Sequence, residues 1–300
     1  MVDVATIKNL REITGAGMMD CKKALAETNG DLQAAIDLLR KKGIAAAAKK
    51  GARTAAEGLI AQKVSDNVAV TLELNSETDF VAKNEEFRKL ANQILDTALN
   101  AADVGQLSSD AAISESITNA ISVIGENIQL RRVKKITNDN GFIVSYIHSS
   151  VTDTLGRIGV LLSVETDNDS AEAKALARQI AMHVAANSPL ALYQDDVPAD
   201  AVAKEKEIFS EQAKASGKPE NIIEKMVEGR IRKFYEEVVL VDQAFVIDGK
   251  TPVKDVIAAF TKENNCSFKL KEYIRFQVGE GIEKEADDFA DEVKSIVANS

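Results

Sequence analysis

The 300-residue sequence predicts an α+β fold: a three-helix N-terminal module, a core of antiparallel sheets built from a duplicated hairpin-plus-helix unit, an inserted helical hairpin and a C-terminal helix. Three observations carry this expectation. Val68, Val70, Leu72 and Leu74 alternate with Ala69, Thr71 and Glu73, the period-two pattern of a half-buried strand. Phe87, Leu90, Ala91, Ile94 and Ala98 then recur at helical spacing, behind Asn84 as N-cap and Glu85 and Glu86 in the first turn. Finally, the same order of hairpin, Glu-Thr-Asp and helix occurs twice.

In the head, Ile7, Leu10 and Ile13 mark a first helix that stops at Gly15-Ala16-Gly17. Met18, Cys21 and Leu25 mark the inward face of a second. Leu32, Ala35, Ile36 and Leu39 mark a third, capped by Asp31 and closed by Gly43, and the run from Ile44 to Thr54 reads as a helical tether. Met19 falls beside Lys22 and Lys23, away from the Met18 face. Two readings of it stand: an exposed apolar contact flanked by positive charge, or a partly buried gap-filler.

The first repeat runs from Gly58-Leu59-Ile60 through a turn at Ser65-Asp66-Asn67 and the strand to Leu74, then Glu77-Thr78-Asp79 and a helix through Gln93-Ile94. The second runs from Gly141-Phe142-Ile143, with a longer turn around Ser149 to Leu155, through Ile158, Val160 and Leu162 to Glu165-Thr166-Asp167 and a helix holding Leu176, Ala177 and Gln179-Ile180. After the shared Glu-Thr-Asp, the second copy continues Asn-Asp-Ser and the first Phe80-Val81-Ala82-Lys83-Asn84. Phe80 or Val81 either packs back on the helix as an apolar staple or is presented by the rigid elements on either side. The polar link of the second copy favours presentation, because a link that merely joins strand to helix needs no aromatic.

Between the copies, residues 109–130 read as helical, and Ile128 to Ile136 as a strand interleaved with Arg131, Arg132, Lys134 and Lys135. Pro198 starts a charged insertion of two helices broken at Ser216-Gly217-Lys218-Pro219, the second carrying the stripe Ile223, Val227, Arg230 and Phe234. Its other arm, a second copy of the chain (a homodimer through the hairpin) or a partner must cover that stripe. Val238 to Ile247 and Phe268 to Val278 read as strands around a helix from Val253, and an amphipathic tail spans Glu283 to Val297.

Composition narrows the function. With 45% hydrophobic and 28% charged residues and no apolar run of membrane-spanning length, the chain is expected to be globular and cytoplasmic, with no membrane contact. A formal net charge of −10 argues against direct nucleic-acid binding, yet residues 1–55 carry ten Lys and Arg against six Asp and Glu, a local +4 that leaves −14 on the rest. A basic head on an acidic body suits docking on an acidic protein surface. Cys21 and Cys266 belong to no C-x-x-C motif, so neither a disulfide nor a metal site is expected. Gly15-x-Gly17 lacks a third glycine and follows a helix, and P-loop, H-E-x-x-H and G-x-S-x-G motifs are absent. Of the two histidines, His183 lies on a core-facing helix side, and His148 shares the Phe142, Val144, Tyr146 face at the end of its strand. The expectation is a binding protein without catalytic residues or cofactor, rather than an enzyme.

The stretch from Arg11 through Thr14-Gly15-Ala16-Gly17-Met18-Met19-Asp20-Cys21-Lys22-Lys23 to Leu25, and Thr78-Asp79-Phe80-Val81-Ala82-Lys83, closely resemble the bacterial elongation factor Ts family. So do Ile124-Gly125-Glu126-Asn127, Gly156-Arg157-Ile158-Gly159-Val160, Ala181-Met182-His183, Met226-Val227-Glu228-Gly229-Arg230 and Val278-Gly279-Glu280-Gly281-Ile282-Glu283-Lys284.

The resemblance implies a guanine-nucleotide exchange factor that binds the GTPase elongation factor Tu, GDP-bound or nucleotide-free. It also implies a ubiquitin-associated (UBA)-like head and tether over residues 1–55, core halves over 56–140 and over 141–196 with 237–280, a coiled-coil insertion over 197–236, and a C-terminal helix over 281–300. The implied partner contacts are Arg11, Met18, Met19, Lys22 and Lys23 in the head, and Thr78, Asp79, Phe80 and Val81, joined by His148, near the magnesium side of the nucleotide site. On that resemblance Phe80 wedges between partner helices, while Asp79 either holds the loop or competes electrostatically near the ion. A scaffold without effect on nucleotide release is the alternative; a small-molecule enzyme is the weaker rival.

Overall fold

The computed structural model describes residues 2–215 and 219–283. The head comprises α1 (Val4–Thr14), α2 (Met18–Glu27) and α3 (Leu32–Lys50). Its core is Ile7, Leu10, Cys21, Ala24, Leu25 and Ala35. Gly15 ends α1 at φ 67°, its N–H donating to Arg11 O at 2.8 Å, and Asp31 caps α3 by accepting from the Ala34 N–H at 2.9 Å.

Three head expectations are corrected. Ile13 is exposed because the face begun by Ile7 and Leu10 continues through Thr14, whose hydroxyl donates to Leu10 O at 2.7 Å. Met18, the first residue of α2, is also exposed; Ala16 in the preceding turn supplies the buried side chain there. Gly43 does not close α3 but is buried within it, where an added Cβ would lie 3.5 Å from Ser122.

The first core half is an antiparallel sheet of β1 (Glu57–Ser65), β2 (Val68–Ser76) and β3 (Ile128–Thr137), covered by α4 (Glu85–Asn100) and α5 (Ala111–Ile124). The second is β4 (Gly141–Thr152), β5 (Leu155–Glu165) and the later β6 (Lys269–Gln277), covered by α6 (Ala171–Asn187). The strand order is β3-β2-β1-β5-β4 with β6 also on β5. Among the described residues, Ile60↔Gly156 and Ala61↔Leu155 alone join the halves by strand pairing.

Leu59, Ala61, Val70, Leu72 and Leu74 pack on α4 residues such as Phe87, Leu90 and Ile94; Phe142, Val144, Val160 and Leu162 pack on Leu176, Ala177 and Ile180 of α6. The other strand faces meet one another through Ala69, Ile136, Ile143, Leu161, Val64 and Ile274. Hence β2 is buried on both faces, not half-buried as its alternation suggested.

The expected long turn at Ser149 to Leu155 is instead strand: β4 runs to Thr152, slips register between Ser150 and Thr152, and turns over Asp153 and Thr154 alone. Ser149 adopts φ 51° at this irregularity.

The insertion forms α7 (Ala199–Lys214) and α8 (Glu220–Val238), each entered through a proline. Val227 is buried, Phe234 joins Val197, Val202 and Val239 at the hairpin base, and the Arg230 guanidinium lies 5.9 Å from the Phe209 ring centre on the other arm. Val238 to Ile247 is not a strand. After α8 the chain is irregular, touching neighbours by the single bridges Ala191↔Val239 and Ala244↔Pro252. Val239, Leu240 and Phe245 are core side chains there, and a short buried apolar run has no periodicity to separate strand from loop. After α9 (Val253–Asn264) the chain returns through β6. The expected tail helix beyond Glu283 falls outside the described residues.

Glu73 is fully buried and ties the halves together. Its carboxylate accepts from Arg131 at 3.1 Å, Arg132 at 2.5 Å, Asn75 at 3.0 Å and the Gly279 N–H at 2.8 Å. Arg132 also donates to Gln277 O at 3.0 Å and lies over the Phe276 ring at 4.1 Å. Glu73→Ala leaves two partly buried guanidinium groups and the Gly279 N–H without this acceptor, so it is expected to destabilise the chain by roughly 2–4 kcal/mol, read as a lower midpoint in chemical denaturation. An unchanged midpoint would show that the network contributes nothing to stability.

Candidate functional site

The strand-to-helix link of the first copy is the most exposed aromatic feature among the described residues: Phe80 is 76% exposed. Its neighbours explain why. Val81 and Ala82 are buried in the first-half core, and Val81 to Lys83 form one 3₁₀ turn. Asn84 closes the link as N-cap of α4, accepting from the Glu86 and Phe87 N–H groups at 2.8 and 3.3 Å. Val81 is thus the inward anchor, and its side chain is not on the surface where it was expected to meet a partner. With Val81 inward at the start of this turn, Phe80 is left outward.

The other end is clamped by the segment joining α5 to β3. One carboxylate oxygen of Glu126 accepts from the Thr78 N–H at 2.9 Å and the other from the Thr78 hydroxyl at 2.6 Å. The Asn127 N–H donates to Glu77 at 2.6 Å, Arg53 pairs with Glu77 at 3.3 Å, and the Asn127 amide donates to Arg53 O at 2.7 Å. The Ser76 hydroxyl donates to Thr78 O at 2.9 Å. Asp79 is exposed and makes no hydrogen bond or ion pair among the described residues.

The second copy treats its link differently. Asp167 accepts from the Ser267 N–H at 2.8 Å and hydroxyl at 3.0 Å, which holds its pKa below the ordinary carboxylate value. The Thr166 hydroxyl donates to Ser267 O at 2.6 Å, and Ser170 caps α6. The aspartate that is free in the first copy is consumed as a structural tie in the second.

In the head, Arg11, Met19, Lys22 and Lys23 are exposed together with Met18, and neither Lys22 nor Lys23 forms an ion pair among the described residues. Met19 is 61% exposed, which resolves its two readings in favour of the surface. His148 is also exposed, four residues before the end of β4 rather than at it; its Nδ1 lies 3.2 Å from the Tyr146 hydroxyl, and the two rings stack at 6.2 Å. No hydrogen bond or ring contact among the described residues joins His148 to the Phe80 link.

Three of the four basic residues of β3 are engaged within the fold, and Lys134 is exposed. Arg131 and Arg132 pair with Glu73, and the Lys135 ammonium donates to Leu99 O and Ala101 O at the end of α4 at 2.8 and 2.7 Å. His183 is fully buried: its Nδ1 accepts from the Val246 N–H at 3.1 Å, which leaves Nε2 to donate to Gln243 at 2.8 Å. No described helix is long and apolar enough to cross a membrane.

Glu126 and Asn127 escaped the sequence analysis as clamp residues. The available signal was local, two polar residues directly after the helix-ending Gly125, whereas their partners lie about fifty residues earlier.

An α+β frame that presents one aromatic loop defines the class: a protein whose candidate site is a presented surface. Comparison with known proteins supplies the family. Residues 77–280 match the family model described as Elongation factor TS. Elongation factor Ts of Bartonella tribocorum is 52% identical over 303 residues, covering 99% of each chain. The same factor from Brucella anthropi is 50% identical over 297 residues, and that from Rhodospirillum rubrum 50% over 300, each covering 97% of both chains. The chain belongs to the elongation factor Ts family, among the factors of translation elongation.

Burial lowers the His183 pKa below its ordinary 6.5, and the Gln243 hydrogen bond only partly opposes it. The unfolded chain therefore binds a proton that the folded ring resists, and stability is lost as pH falls below 6.5. The stability advantage of wild type over His183→Gln is expected to shrink between about pH 7.5 and about pH 5 in stepped-pH denaturation; a constant difference would contradict the burial argument.

Proposed function

We propose that this chain is a guanine-nucleotide exchange factor for elongation factor Tu, that it binds the GDP-bound GTPase, and that the Asp79-Phe80 link drives GDP release. The observation that carries this reading is the 76% exposure of Phe80 on a backbone clamped at Thr78 and Asn84. An apolar ring held in water on a fixed support gains free energy only when a partner opens to receive it.

The thermodynamics is linkage. A factor that binds the nucleotide-free GTPase more tightly than the loaded one weakens nucleotide affinity by the same ratio, about 1.4 kcal/mol for each tenfold. Burying Phe80 is worth roughly 1.5–3 kcal/mol, available only in the partner conformation whose helices have parted. Parting them disturbs the ligands of the magnesium ion that neutralises the bound diphosphate. The unpaired Asp79 carboxylate enters the same region and adds negative charge where that cation is held. The head contributes affinity through Met18 and Met19, flanked by Arg11, Lys22 and Lys23, and His148 supplies a further contact. The factor makes and breaks no covalent bond; its whole effect is a shift between partner states.

Two experiments test the reading. Release of fluorescent GDP from elongation factor Tu is expected to accelerate strongly with wild type and to lose roughly tenfold to a hundredfold of that acceleration in Phe80→Ala, which is expected to remain folded because the ring is mostly exposed and lies outside the first-half core. Binding without acceleration by wild type would leave a scaffold instead. Reversing Lys22 and Lys23 to Glu is expected to weaken complex formation at low salt, with the difference shrinking as salt rises. A salt-independent affinity, equal to that of wild type, would remove the basic head from the interface.

A further inference from the structure

We propose that Glu126 is a positioning residue for the exchange loop, fixing the direction in which Asp79 and Phe80 leave the frame. The inference rests on the exchange reading above and deepens it.

Three observations carry it. Glu126 is the only described side chain that grips both polar hydrogens of Thr78, the N–H at 2.9 Å and the hydroxyl at 2.6 Å. A two-point grip fixes rotation as well as position, and a charged acceptor makes each bond stronger than a neutral one. Secondly, the grip ends one residue short of Asp79, whereas the brace of the second copy takes hold of the corresponding Asp167 itself through Ser267. Bracing through Thr78 restrains the link and leaves the Asp79 carboxylate free. Thirdly, Asn127 couples the same segment to Glu77, and Arg53 joins Glu77 just beyond the end of α3. The support of the loop is therefore joined to the residues that follow α3.

A restrained loop loses less conformational freedom on insertion than a free one, so loss of the grip raises the barrier to release. The experiment measures GDP release from elongation factor Tu across factor concentrations for wild type, Glu126→Ala, Glu126→Gln, Phe80→Ala and the double variant Glu126→Ala/Phe80→Ala, with amide hydrogen exchange of the 77–84 peptide in parallel. In Glu126→Ala the maximal release rate is expected to fall about tenfold with a half-saturating concentration within about twofold of wild type, and the 77–84 peptide to exchange faster. Glu126→Gln, which keeps one acceptor and a donor, is expected to recover most of the rate. The double variant is expected to be no slower than Phe80→Ala, because Glu126 acts through Phe80.

Additive losses in the double variant, or a change confined to half-saturation, would overturn positioning and make Glu126 a direct partner contact. A maximal rate unchanged in Glu126→Ala would overturn the proposal outright. Should wild type itself fail to accelerate release, the exchange reading falls, and hydrogen exchange decides the brace alone: unchanged protection of 77–84 in Glu126→Ala overturns it.

Discussion

The structure depends on one packing constraint: each three-stranded half has two faces to bury, and its own helices cover only one. The remaining faces are buried against each other, through Ala69, Ile136, Ile143, Leu161 and Ile274, with Ile60, Phe276 and Val278 alongside. Close approach is needed, and Gly159 permits it, since a Cβ there would fall 2.6 Å from the Ile60 side chain. Two of the polar groups on these faces are paired across the strands: Gln62 hydrogen-bonds Thr71 at 3.3 Å, and Glu73 binds two arginines. A buried carboxylate is costly unless paired, so Glu73 also makes the arrangement specific: it satisfies itself only when β2, β3 and the segment after β6 come together.

That constraint is what makes a presented loop workable. Strands buried on both faces are stiff supports, and the link after β2 inherits their position. Its two ends are then fixed by different chemistry, an apolar anchor and N-cap on the α4 side and a carboxylate clamp on the β2 side. The side chains between, those of Asp79 and Phe80, make no hydrogen bond or ion pair among the described residues. The duplicated unit provides the comparison within one chain: the same Glu-Thr-Asp start leads in the second copy to an aspartate tied to Ser267 and a polar link.

Charge follows the same division between support and surface. Arg131, Arg132 and Lys135 look like a basic stripe in the sequence, but each is engaged with an internal acceptor. Lys22 and Lys23 in the head meet no such acceptor among the described residues, and they flank an exposed methionine on a module whose excess is +4 against −14 for the remainder of the chain.

The sequence by itself determined the α+β class, the duplication, the caps at Asp31 and Asn84, and the distinction of the first link from the second. All of these are local: a periodicity, a capping side chain, or the comparison of two stretches needs no knowledge of what packs where. Family membership was legible for the same reason, since ordered motifs are linear. Only the tertiary structure decided which of Phe80 and Val81 turns inward, that β2 is buried twice over, that the apolar run after α8 is irregular, and that Glu126 holds Thr78. Each of these depends on a contact between residues far apart in the chain. Alternation in β2 records the two faces of a strand but not whether a second sheet covers the outer one, and a carboxylate forty-eight residues from its threonine leaves no pattern that spacing can reveal.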